Sequence, residues 1–182
     1  MPDRAFDECT SLTSITFGKN SQLTSIGAHA FSNHSNLTSI TIPDSVTSIG
    51  ESAFWRCSSL TSIAIPDGVT SIGDRAFSQC YKLTSITIPD GVTSIGEGAF
   101  MGCESLTSIT IPDRVSSIGG LRGELAFNDC TSLTEVTFLG DAPNAGRSLF
   151  NKSTPTIYRK PDAKGWGDTF GGRPVKLISE KP

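Results

Sequence analysis

The sequence predicts a repeat solenoid of about six coils, mainly β with short helical or 3-10 turns, and three observations predict it. The stretch LTSIAIPDGVTSIGDRAFSQCYK, residues 60–82, stands in nearly the same form before and after itself. Leu37, Leu60, Leu83 and Leu106 open successive copies twenty-three residues apart, with Ile49, Ile72, Ile95 and Ile118 at one later slot. Each copy is apolar at fixed slots and polar between them, so one copy has a single apolar side with nothing to bury it against, and only stacking satisfies it.

The elements follow in order along each copy. Residues 1–36 hold a half copy, Ala5-Phe6-Asp7-Glu8-Cys9, and an irregular one in which Gly18 to Leu23 replaces the shorter Pro-Asp-x-Val of later copies. A chain that starts inside a repeat leads to the expectation of a longer array and of an uncovered N-terminal end that associates end to end. In regular copies L-x-x-I-x-I reads as a short strand, because Ile63 and Ile65 alternate with Ser62 and Ala64. Pro66-Asp67-Gly68 and Pro89-Asp90-Gly91 then turn the chain, glycine being read as tolerance of positive φ. V-T-S-I is a second extended piece, and Gly73 is expected to let the backbone swing again. Asp74-Arg75-Ala76-Phe77 reads as a turn of helix, with its acid in the first turn. Phe and Cys fill the back of the coil.

The cysteines at 9, 57, 80, 103 and 130 occupy one slot, which His34 takes in the copy between the first two. An odd number locked to the apolar period, without C-x-x-C spacing, reads as a column of small buried side chains, reduced and unreactive, against a disulfide or metal ladder. The acidic column Asp44, Asp67, Asp90 and Asp113 reads as turn capping against Ca²⁺ binding. His29 and His34 are the only histidines, and no nucleophile, base and orienting acid fall together, so the chain is read as non-enzymatic, without catalytic, cofactor or metal residues.

At this point L-T-S-I-T-I-P-D-x-V-T-S-I-G-x-x-A-F-x-x-C resembles the repeat of the BspA-type leucine-rich repeat family, over roughly residues 4–138. The resemblance implies a curved right-handed leucine-rich repeat coil, secreted or displayed on a bacterial cell surface and used to adhere to host or matrix proteins. The departures are His34 in a Cys slot, the insertion Gly120-Leu121-Arg122-Gly123 before the last Ala-Phe, and the missing N-terminal cap.

Residues 139–182 depart from the pattern. Pro155 to Tyr158 and Val175 to Ile178 read as two last strands around an aromatic and glycine loop, Lys164 to Pro174, which is a C-terminal cap of the bacterial type stacked on the array 1–138 in the same domain. A sugar-stacking Trp166 beside Arg173 is the alternative. Residues 1–138 carry seven basic and fourteen acidic groups and 139–182 eight and four, an acidic array that does not suit a phosphate backbone. No stretch is apolar enough for membrane insertion, and MPDRAFDECT has no signal-peptide pattern.

The chain is therefore read as a recognition or adhesion scaffold for a protein partner, the alternatives being a Ser/Thr ladder for a repetitive ligand such as ice or a polymer, or a structural spacer. Specificity needs slots that vary between copies. The positions after each Phe and each Cys vary, which points to Trp55, Arg56, Tyr81, Lys82 and Met101 as a mixed apolar and cationic partner-binding patch.

Overall fold

The structure, a computed structural model, describes residues 1–7, 9–119 and 125–181. The insertion at Gly120 to Gly123 lies outside the described residues. Each repeat turns through one coil of a β-solenoid with three sides.

The first side carries the L-x-x-I-x-I strands: β1 (Ser14–Ile15), β3 (Ser39–Ile40), β5 (Ser62–Ala64), β7 (Ser85–Thr87), β9 (Ser108–Ile111), β11 (Glu135–Phe138), β13 (Thr156–Arg159) and β15 (Arg173–Leu177). All pairing among them is parallel and in repeat register, Ser62 beside Ser85 and Ile63 beside Ile86, Val136 beside Ile109 and Ile157. The period of two puts the isoleucines inward and leaves Ser62, Ala64, Ser85, Thr87, Ser108 and Thr110 exposed. The second side is one continuous six-stranded parallel sheet of the V-T-S-I segments: β2 (Ser25–Ile26), β4 (Ser48–Ile49), β6 (Ser71–Ile72), β8 (Ser94–Ile95), β10 (Ser117–Ile118) and β12 (Asn144–Ala145). Between the two sides the Pro-Asp corner closes as a β-turn, with Val69 N–H donating to Pro66 O at 3.0 Å and Val92 N–H to Pro89 O at 3.1 Å.

The third side differs from the helix turn that the sequence suggested. Ser52, Phe54 and Arg56 N–H donate to Asp74, Ala76 and Ser78 O of the next coil at 2.8–2.9 Å, while Ala53, Trp55 and Cys57 N–H bond three residues back within their own coil. Two left-handed residues per coil, such as Ser52 (φ 52°) and Arg56 (φ 59°) or Arg75 (φ 53°) and Gln79 (φ 61°), alternate the direction of the amides and break any helix. The acid before them does not serve a helix dipole. Asp74 Oδ1 accepts the Glu97 N–H of the next coil at 2.7 Å, as Asp3 Oδ1 accepts that of Ala28 at 2.7 Å. Nor do Gly68, Gly73 and Gly91 have positive φ. Gly73 is required for space, since a Cβ there would lie 2.6 Å from the Gly50 carbonyl carbon.

Behind this backbone the rings of Phe6, Phe31, Phe54, Phe77, Phe100, Phe127 and Phe150 stack with centroids 5.1–5.7 Å apart. The cysteine column is more than small filler. Cys57, Cys80, Cys103 and Cys130 Sγ donate to the carbonyls of Phe31, Phe54, Phe77 and Phe100 in the preceding coil at 3.1–3.3 Å. Burial pushes the Cys57 and Cys130 thiols up to about 12; burial first and neighbouring thiols second raise Cys80 and Cys103 well above the usual value. Each thiol therefore keeps its proton and can donate. Cys9 contradicts the expectation of a wholly buried column, because it sits exposed in the first half coil. All five are free thiols.

Beyond β12 the C-terminal segment, which the sequence leads one to expect as a cap, repeats these contacts with other residues. Ser153 Oγ donates to Phe127 O at 2.6 Å, and Arg173 Nη2 to Phe150 O at 3.0 Å. β14 (Thr169–Phe170) pairs antiparallel with β15, and a Cβ on Gly171 would meet the Phe150 ring at 2.9 Å. Trp166 packs on Phe138 and Phe170 with centroids 4.9 and 5.0 Å away, and its Nε1–H donates to Gly140 O at 3.3 Å. It is partly buried against the end of the core.

Candidate functional site

The side chains that break the repeat gather on the third side. The phenylalanine of each coil points inward, and the residue after it is Trp55, Ser78 and Met101 in successive coils, of which Trp55 and Met101 reach the surface. Two large side chains two coils apart leave a hollow between them of about 320 Å3, lined by His29, Glu51, Ser52, Trp55, Arg75, Gln79 and Met101. Ser78, the short residue between them, is fully buried and its Oγ has no hydrogen-bond partner.

The rim carries charge of both signs. The Arg56 guanidinium lies 4.4 Å from the Trp55 ring centroid, a cation–π contact, and its Nε–H donates to Gln79 Oε1 at 2.8 Å. Those two contacts fix the indole and the amide as one unit across two coils. Arg75 meets Glu97 at 3.9 Å, an exposed pair worth little on its own, so its guanidinium stays available to a ligand. His29 Nδ1 lies 3.2 Å from Ser32 Oγ. Aromatic, thioether, guanidinium, imidazole and carboxylate groups thus surround one depression, which suits a mixed apolar and polar anchor.

Of the residues singled out from the sequence, Trp55 and Met101 line the hollow and Arg56 braces it. Tyr81 and Lys82 are exposed but lie past the cysteine, outside the lining. His29, Glu51, Arg75 and Gln79 were missed. For His29, Glu51 and Arg75 the signal was present, because the two slots before each Ala-Phe read Ala28-His29, Glu51-Ser52, Asp74-Arg75 and Glu97-Gly98 and vary as much as the slots after it, where Gln79 stands.

The first side offers a different surface. Thr38, Thr84 and Thr134 hydroxyls donate to the carbonyls of Thr13, Thr61 and Thr107 in the preceding coil at 3.0–3.2 Å, and Thr47 and Thr93 do the same on the second side at 3.1 and 3.3 Å. These threonine donors are committed to the backbone, and the exposed columns Ser62, Ser85, Ser108 and Thr87, Thr110 are not among them. Asp44, Asp67, Asp90 and Asp113 are exposed, and among the described residues no group of three or more His, Cys, Asp and Glu is placed to hold a metal. Among them, too, no helix is long and apolar enough to cross a membrane.

Residues 1–122 match, in six copies, the family model described as BspA type leucine rich repeat region. No curated protein sequence matches the chain significantly. Among solved structures, a leucine rich repeat protein of T. pallidum is 26% identical, with 81% of this chain and 72% of that one covered at a TM-score of 0.64. A leucine rich cell surface protein of Faecalibacterium prausnitzii is 31% identical over 86% of this chain at a TM-score of 0.67, and the chain spans 51% of its length. The pneumococcal vaccine antigen PcpA shares the fold at 21% identity and a TM-score of 0.66, with 82% of this chain and 36% of that one covered.

Proposed function

From the premise that this chain belongs to the BspA-type leucine-rich repeat family, we propose that it is a non-enzymatic recognition scaffold, displayed or secreted by a bacterium, that adheres to a host or matrix protein through the third side of its coils. The observation that carries this reading is the hollow between Trp55 and Met101. It is where the repeat gives up its uniform chemistry, and it offers an aromatic wall and guanidinium groups of the kind that anchor protein interfaces. The cell-surface description of the F. prausnitzii protein supports the compartment.

The test is surface plasmon resonance of the chain against a panel of extracellular matrix and host surface proteins. For a bound partner, Trp55→Ala is expected to weaken affinity about thirtyfold, near 2 kcal/mol, and Tyr81→Ala less. Ser62→Ala with Ser85→Ala on the first side should change it by less than threefold. The reverse ranking would assign the interface to the strand face.

A further inference from the structure

The strand face departs from its own repeat at one place. Its outer columns read Ser14, Ser39, Ser62, Ser85, Ser108 and then Glu135, and Thr16, Thr41, Ala64, Thr87, Thr110, Thr137 and then Tyr158, exposed as far as Ser108 and Thr110, half-buried at Glu135 and buried at Thr137 and Tyr158. Glu135 is the only acid and Tyr158 the only aromatic ring in those columns. The parallel register brings them together: Glu135 and Thr137 are two apart on β11, hence on one face, and Thr137 lies directly beside Tyr158 on β13. All three meet one cation. Lys181 Nζ donates to Glu135 Oε1 and to Thr137 Oγ1 at 2.8 Å, and sits 5.0 Å from the centroid of the Tyr158 ring.

Carboxylate, hydroxyl and aromatic face converging on an ammonium are the groups that distinguish a primary amine from a neutral stem. We propose that Glu135, Thr137 and Tyr158 form a binding site for the lysine side chain of a partner protein, filled in this structure by the chain's own Lys181. The segment that fills it is attached lightly. After β15 the chain makes a 3-10 turn, Ile178–Glu180, with no buried residue. The turn bonds to itself, Lys181 N–H to Ile178 O at 3.2 Å and Leu177 N–H to Glu180 Oε2 at 3.3 Å. Leu177 is the last residue of β15 paired with the body of the protein, opposite Arg159, and past the turn the Lys181 ammonium reaches back to Glu135 and Thr137. An incoming lysine exchanges one ammonium for another and leaves no carboxylate unpaired, so displacement carries no desolvation penalty at Glu135. The site is separate from the Trp55 hollow and stands whether or not that hollow binds a partner.

The experiment uses the full chain with Lys181→Ala, and with Lys181→Met as a second variant that keeps the apolar stem over Tyr158. Each is titrated with N-acetyl-lysine methylamide and, as control, N-acetyl-norleucine methylamide, following the Thr137 amide and Tyr158 ring by NMR. The expected result is a saturable shift at both residues with the lysine compound alone, at least tenfold weaker in the unmodified chain and abolished by adding Glu135→Gln. Equal response to the norleucine compound, no response in either Lys181 variant at concentrations that saturate a millimolar site, or survival of binding in Glu135→Gln would overturn the proposal.

Discussion

The coils from Ala30 to Cys130 and the cap from Leu139 onward hold the same stack together with different residues. In the array one rung is repeated: a thiol donates to the phenylalanine carbonyl of the coil before it, a ring lies on the ring below, and a glycine admits the neighbouring backbone. In the cap Ser153 takes the thiol's slot, 26 residues after Phe127, Arg173 reaches Phe150 O from 23 residues on, the slot of a next phenylalanine, and Gly171 covers the last ring. The stack requires a donor and a flat cover. Cysteine and phenylalanine are its interior solution, and a hydroxyl, a guanidinium and a glycine turn are its solution at an end that faces water.

Glycine substitutions set the two regions furthest apart. Gly73→Ala in the array drives a Cβ to within 2.6–2.8 Å of backbone atoms of Gly50 and Glu51, which cannot yield as a side chain would. Urea unfolding should show a loss of about 3 kcal/mol. Gly172→Ala in the cap meets nothing within 4 Å and pays only for its φ of +75°, about 1 kcal/mol. Equal losses would show that the array is no more tightly packed than the cap.

A smaller effect, of opposite sign, tests the rung itself. His34 sits in the thiol slot, fully buried, with Nδ1 3.0 Å from Ser32 O and Nε2 without a partner. His34→Cys should supply the missing donor to Phe6 O and remove an unsatisfied nitrogen, raising stability by about 1 kcal/mol. A loss on the same measurement would mean that the imidazole contributes more through its edge contact with Phe31, 5.9 Å between centroids, than the rung does.

Much of this was legible in the residues. The period placed the strands of the first two sides as far as β11 in register, because a two-residue alternation inside a fixed repeat leaves no other pairing, whereas β12 begins at Asn144, in a stretch that read as a turn. What was not legible was direction. The third side read as helix because Asp-Arg-Ala-Phe suits a first turn, whereas the left-handed Ser52, Arg56, Arg75 and Gln79 belong to residue types that do not announce positive φ. Glycine was read for its dihedral freedom where the packed coils needed only its lack of a Cβ. The candidate patch was proposed from variation between copies. Trp55 and Met101 share a hollow because they are one slot in alternate coils, but Tyr81 and Lys82 stand three and four residues past that slot in the coil between, outside its lining.

If array and cap are one ladder they should unfold together. Trp55→Phe leaves Trp166 as the only tryptophan, so its fluorescence reports the cap, while labelling of Cys57, Cys80, Cys103 and Cys130 reports the array. Followed through urea in one sample after Cys9 has been blocked, the two signals are predicted to give coincident midpoints and a single cooperative transition. Loss of the Trp166 signal at a lower urea concentration than exposure of the four thiols would contradict the account and make the cap a separate unit resting on the array.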